Sequence, residues 1–108
     1  MLPKKNRLNL KFQFKEVITG KKLSGKFGNL YIKYGDNSQE QARIGIALTA
    51  KIFKKAHERN YVKRLISTAF KKLLTALPGN INILVVPNHS VLEVKSEELK
   101  AEYEKLIY

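Results

Sequence analysis

Residues 62–86, VKRLISTAFKKLLTALPGNINILVV, contain a change of hydrophobic period that decides the fold. Val62, Leu65, Ile66, Ala69, Phe70, Leu73, Leu74 and Leu77 recur at i, i+3, i+4 and i+7. At about 100° per residue such side chains form one stripe, which predicts a long amphipathic helix. Pro78 and Gly79 close it, because proline cannot continue the hydrogen-bond ladder and glycine accepts the dihedrals of a stop. Ile81 to Val86 is then short and apolar on both faces, the pattern of a strand inside a sheet covered on each side. A helix that feeds such a strand must lay its stripe on a sheet.

Working upstream, FGNLYIKY (27–34) and RIGIALT (43–49) both have period two. Leu30, Ile32 and Tyr34 alternate with Tyr31 and Lys33, and Ile44, Ile46 and Leu48 with Gly45 and Ala47, so both predict strands. KYGDNSQEQ (33–41) and LPGN (77–80) supply turns. A shorter helical stripe, Leu10, Phe14, Val17 and Ile18, precedes Gly20. A last one, Leu99, Tyr103, Leu106 and Ile107, follows Ser96 as the expected N-cap, with Glu97 and Glu98 at the positive end of the helix dipole. The order is helix, two or three strands, long helix, strand, helix. With three strands it becomes α-β-β-β-α-β-α: an α+β, two-layer sandwich with a four-stranded sheet and a long basic central helix, one domain over residues 1–108.

The chain has 108 residues and no cysteine, so disulfides, thiolate nucleophiles and cysteine-based metal sites are excluded. No apolar run reaches the roughly 20 residues of a membrane span, and the N-terminus lacks the apolar block of a secretory signal, so a cytoplasmic protein is expected. Net charge is +12, and it is concentrated. Residues 1–33 hold 9 basic and 1 acidic side chains and residues 51–72 hold 8 and 1, whereas 34–50 and 73–108 are slightly acidic. Such fields cost self-repulsion unless a polyanion offsets them, either nucleic acid or an anionic membrane face.

The second basic block is woven into the helix. In KKAHERNYVKRLI (54–66), Asn60, Lys63 and Arg64, with Ser67 and Lys71 beyond, fall on one arc beside the apolar stripe, and Arg59 lies at its margin. Arginine offers a fork for two phosphate oxygens, lysine a mobile point charge, asparagine a donor and acceptor for a base edge or 2′-hydroxyl. A merely solvated face intersperses glutamates at i, i+4, and here Glu58 stands alone. The pattern defines a polyanion-binding helix without separating RNA from DNA.

AHERNYVKRLI (56–66) resembles the signature of the bacterial ribonuclease P protein component, whose core is Arg-Asn, two residues, then Lys-Arg. RIGIALTAK (43–51) resembles the strand leading into that helix, MLPKKNRL (1–8) with FKEV (14–17) the family's opening segment, and NINILVV (80–86) its central strand. The resemblance runs, with gaps, over nearly the whole chain. It implies a protein subunit of a ribonucleoprotein endoribonuclease that removes the 5′ leader of precursor tRNA, with the catalytic groups on the RNA subunit and Mg²⁺ bound mainly by RNA. It also implies ribonuclease P RNA and precursor tRNA as partners, with no membrane and no obligate protein partner.

Carried onto this sequence, the resemblance puts Arg59, Asn60, Lys63 and Arg64 against the catalytic RNA, with Lys51, Lys54 and Lys55 beside them. Phe14, and Tyr31 or Ile32 depending on a one-residue gap, fall in the cleft that receives the leader. By spacing alone Phe14 also suits the core, while Tyr31 takes the sheet face opposite Leu30, Ile32 and Tyr34. Five positions depart from the family: Ser67 and Tyr61 replace basic residues, Ile18 an aromatic, and Pro87-Asn88 small and basic residues.

His57 and His89 are far apart and have no carboxylate cluster beside them, so a surface or capping role is expected for the first and a loop position for the second. No serine has a visible general base. GKKLSGKFGN (20–29) lacks P-loop spacing and reads equally as a flexible turn or a basic loop touching RNA. The rival reading is a general RNA-binding or ribosomal protein with no processing role.

Overall fold

The computed structural model describes residue 2 and residues 6–8, 15–35 and 41–107. Three strands, β1 (Lys21–Gly25), β2 (Gly28–Tyr34) and β3 (Arg43–Ile46), precede the long helix α1 (Ala56–Leu73). Strand β4 (Ile81–Pro87) and helix α2 (Ser96–Ile107) follow, with short 3₁₀ turns at Leu74–Ala76 and His89–Glu93. Residues 15–18 are helical, and the Gly20 N–H bonds the Val17 carbonyl at 3.0 Å where they end. The expected two-layer α+β architecture with four strands is therefore present.

The sheet order is β1-β2-β4-β3. β2 pairs antiparallel with both β1 and β4, whereas β3 runs parallel to β4, with Ile44 opposite Ile83. A parallel neighbour needs a crossover, and α1 provides it. β4 lies between β2 and β3, and all of its residues but Val86 are buried, which explains its lack of alternation. Beyond β3, Arg7 forms a parallel bridge with Ile44 and the Leu8 N–H donates to the Ile44 carbonyl at 3.0 Å. The start of the chain thus covers part of an open sheet edge.

Each side of the sheet has its own core. Leu30, Ile32, Ile44, Ile81, Ile83 and Val85 face the helices and meet Val62, Ile66, Phe70, Leu99 and Tyr103. Phe70 and Tyr103 stack with centroids 5.0 Å apart, joining α1 to α2. On the other face Leu84 meets Leu8 and Val17, with Tyr31, Ala47 and Val86 at their margin.

The segment KKLSG, whose sequence reads as a flexible turn or basic loop, is β1. Its burial is slight, since it is an edge strand with both lysines exposed, so little periodicity marks it. The β1–β2 turn needs Gly28, whose φ of 126° and close approach to the Val86 carbonyl leave no room for a Cβ. Ser96 is the first residue of α2 rather than the residue before it. In the first stripe Val17 is buried but Ile18 is 37% exposed, while Leu10 and Phe14 lie outside the described residues.

Candidate nucleic-acid interface

The loop between β3 and α1 is anchored from within. Phe53 is fully buried, and its ring lies against His89 with centroids 6.2 Å apart and planes 15° off parallel. Thr49 ties the turn before it, its carbonyl accepting from the N–H groups of Ile52 and Phe53 at 3.2 and 2.9 Å. With Phe53 pinned inward, Lys51, Lys54 and Lys55 are exposed around it. His57 is exposed on the first turn of α1, and His89 sits in a 3₁₀ turn.

Glu58, the one acid on α1, works on the helix itself. Its Oε1 accepts from the Lys55 N–H at 3.4 Å, half of a capping box, and its charge favours the helix N-terminus. It therefore forms no ion pair along the basic face. Asn60, Lys63, Arg64 and Lys71 are all exposed, and the ion pairs among the described residues lie elsewhere, Lys72 with Glu97 at 3.7 Å and Lys100 with Glu104 at 3.1 Å. Glu97 is held below the usual carboxylate range by hydrogen bonding to its own backbone N–H first and by Lys72 second. The strip Asn60–Lys63–Arg64–Lys71 is cationic and uncompensated among the described residues.

Two members of the expected set behave differently from the others. Arg59 is half-buried, and its Nη1 donates to the Phe53 carbonyl at 2.7 Å and the Lys54 carbonyl at 3.3 Å. Part of its fork braces the loop, so only the remainder can face a phosphate. Ser67, placed by the wheel on the polar arc, is 3% exposed. Leu2, Arg7 and Leu8, from the start of the chain, lie near that flank of α1. Leu2, Arg7 and Leu8, the β3 residues Ile44 and Ile46, and Lys63 and Ser67 of α1 together line a cavity of about 170 Å³.

The second surface is the sheet face away from the helices. Tyr31 is half-buried there beside Leu84 and Val86. Register places Lys22 directly opposite Tyr31, and Lys33 is two residues along the same strand, so both lysines share the Tyr31 face. Ile32 lies on the other face: it is 8% exposed and belongs to the core under the helices, because a one-residue step along a strand reverses the face. Phe14, the other candidate here, lies outside the described residues. Asn88 is a structural tie, its Oδ1 accepting from the Ser90 N–H at 3.0 Å and its Nδ2 donating to the Lys26 carbonyl at 3.1 Å. Pro87 is buried at the end of β4. Lys33 shares the Tyr31 face by alternation along β2, whereas Lys22 escaped sequence reading because its relation to Tyr31 exists only once β1 is paired. Among the described residues no three His, Cys, Asp or Glu side chains converge as metal ligands, and no helix is long and apolar enough to cross a membrane.

Residues 2–108 match the family described as Ribonuclease P. The chain belongs to the ribonuclease P protein family. That family serves tRNA 5′ processing, and its holoenzyme is an endoribonuclease that pairs the protein with ribonuclease P RNA. The chain is 35% identical over 71 residues to the ribonuclease P protein component of Pseudoalteromonas atlantica, covering 66% of this chain and 58% of that one. It is 35% identical over 86 residues to that of a Pseudanabaena species, covering 79% and 73%. The ribonuclease P protein of Thermotoga maritima, solved in complex with 1-(4-fluorophenyl)-2-thiourea, superposes with a TM-score of 0.79 at 25% identity, over 93% of this chain and 95% of that one.

Proposed function

We propose that this ribonuclease P protein holds two RNA elements at once and leaves the chemistry to its RNA partner. The strip Asn60, Lys63, Arg64 and Lys71, continued by Lys51, Lys54 and Lys55 and by the free part of Arg59, lies against the catalytic RNA. The sheet face around Tyr31 takes the single-stranded 5′ leader of precursor tRNA. An unstacked base can lie on the tyrosine ring whatever its identity, at about 1–3 kcal/mol per base, while Lys22 and Lys33 follow the backbone.

The observation that carries the reading is the uncompensated strip. Cations kept free of carboxylates in a folded protein retain their full charge for a polyanion. About six such cations contacting phosphate give a slope of log K against log salt of roughly −4 to −5, at about 0.7–0.9 per contact. On this reading Mg²⁺ is held by RNA oxygens and the protein's part is to screen phosphates around it. Work in the cytoplasm, where tRNA is processed, follows from the same reading.

The test is reconstitution with ribonuclease P RNA from the same organism. Adding the chain should raise leader cleavage most at low Mg²⁺, and it should tighten precursor tRNA more than mature tRNA. Equal tightening of both, with no stimulation of cleavage, would identify a general RNA-binding protein instead.

A further inference from the structure

The cavity beside α1 has a composition that the strip alone does not explain. Two cations, Arg7 and Lys63, stand on its wall, and no acid does among the described residues. The Arg7 Nε donates to the Leu2 carbonyl at 2.8 Å, which fixes the plane of the guanidinium, and its terminal nitrogens have no acceptor among the described residues. Below them the lining turns apolar, with Leu8, Ile44 and Ile46, and at Gly45 bare backbone. The volume, about 170 Å³, is roughly that of five or six waters. An apolar floor under a purely cationic rim matches a ligand with an anionic end and a flat, weakly polar body.

We propose that this cavity seats one unstacked nucleotide of the partner RNA, its phosphate between Arg7 and Lys63 and its base against the Leu8, Ile44 and Ile46 floor. The proposal rests on the reading that the Lys63 face meets RNA, and it adds a site to that face. The arginine fork grips phosphate oxygens, and the apolar floor accepts a base without selecting its identity. Ser67 lines the same cavity, and a larger side chain at that position would project into the space the nucleotide takes.

Ser67→Leu fills the cavity without changing any charge. Binding of this variant to ribonuclease P RNA is expected to weaken at least tenfold at every salt concentration, with the wild-type salt slope. Arg7→Gln is expected to lower the magnitude of the slope by about 0.7–0.9. Arg64→Gln, outside the cavity, tests the strip separately. A normal affinity for Ser67→Leu together with a reduced slope for Arg64→Gln overturns the nucleotide site and leaves the strip standing; wild-type behaviour of both overturns the two together. Should Ser67→Leu melt below the wild type, the wild-type chain decides by amide chemical shifts. Saturable shifts at Gly45 and Ser67 with 5′-AMP, absent with inorganic phosphate, support the site. Shifts with phosphate alone, or with neither, overturn it.

Discussion

Arg59→Lys separates two roles that one side chain combines. The substitution keeps the positive charge and removes the planar fork. In the wild type, Nη1 reaches the Phe53 carbonyl at 2.7 Å and the Lys54 carbonyl at 3.3 Å, closing the loop that carries Lys54 and Lys55. A hydrogen bond from a charged donor contributes about 1.5–3 kcal/mol. Arg59 is only half-buried and the longer bond is solvent-exposed, so the lower end applies, about 1.5 kcal/mol. For a domain near this length that lowers Tm by about 6–10 °C, read by circular dichroism. The slope of RNA affinity against salt should stay at the wild-type value, because the charge count is unchanged. Affinity itself should fall at all salt concentrations as the loop lysines lose their fixed positions. A variant with the wild-type Tm would refute the argument, since it would show that the fork does not brace the loop.

Three further outcomes are expected. Arg64→Ala should reduce the magnitude of the salt slope by about 0.7–0.9 and leave stability within about 0.5 kcal/mol of wild type, checked by salt titration and a thermal melt. Tyr31→Ala should weaken precursor tRNA on the reconstituted complex by about 1–3 kcal/mol more than mature tRNA; equal losses would remove Tyr31 from the leader surface. Tyr103 has a buried hydroxyl without a hydrogen-bond partner among the described residues, and burial, helped by Glu102, holds its phenol well above the ordinary 10.0. Above that pH the unfolded chain releases a proton that the folded chain keeps, so the contribution is full below pH 10 and declines as pH rises, by up to about 1.4 kcal/mol per unit. Tyr103→Phe should match or exceed wild-type stability at neutral pH and lose less of it in melts between pH 9 and 11.

The two-layer plan was legible because the decisive segments are long or fully apolar. The α1 stripe repeats through most of an 18-residue helix, and β4 is hydrophobic on both faces, so local pattern and tertiary role coincide. β1 was not legible, because an edge strand with two exposed lysines owes its conformation to its partner β2. Similarly, the choice between Tyr31 and Ile32 is a matter of parity along one strand. Alternation favoured Tyr31 for the open face, and the burial of Ile32 among the core residues bears that out.

What escaped sequence reading at the site depends on contacts between distant parts of the chain. Nothing local marks Ser67 as buried, and its neighbours across the cavity, Leu2, Arg7 and Leu8, are distant in sequence and are held near by the bridge from Arg7 to Ile44. Nor does the motif show that Arg59 spends a nitrogen on the Phe53 carbonyl while Asn60, Lys63 and Arg64 stay free of ion pairs among the described residues. A run of basic residues therefore has inner and outer members with different physical roles. The inner member, Arg59, fixes a loop, and the outer members can give their charge to a partner. The same reasoning gives Lys63 a double position, on the exposed strip and on the rim of the cavity, where it is the one strip residue that shares a wall with Arg7. Its replacement should therefore disturb RNA binding more than that of Arg64, even though each removes a single charge.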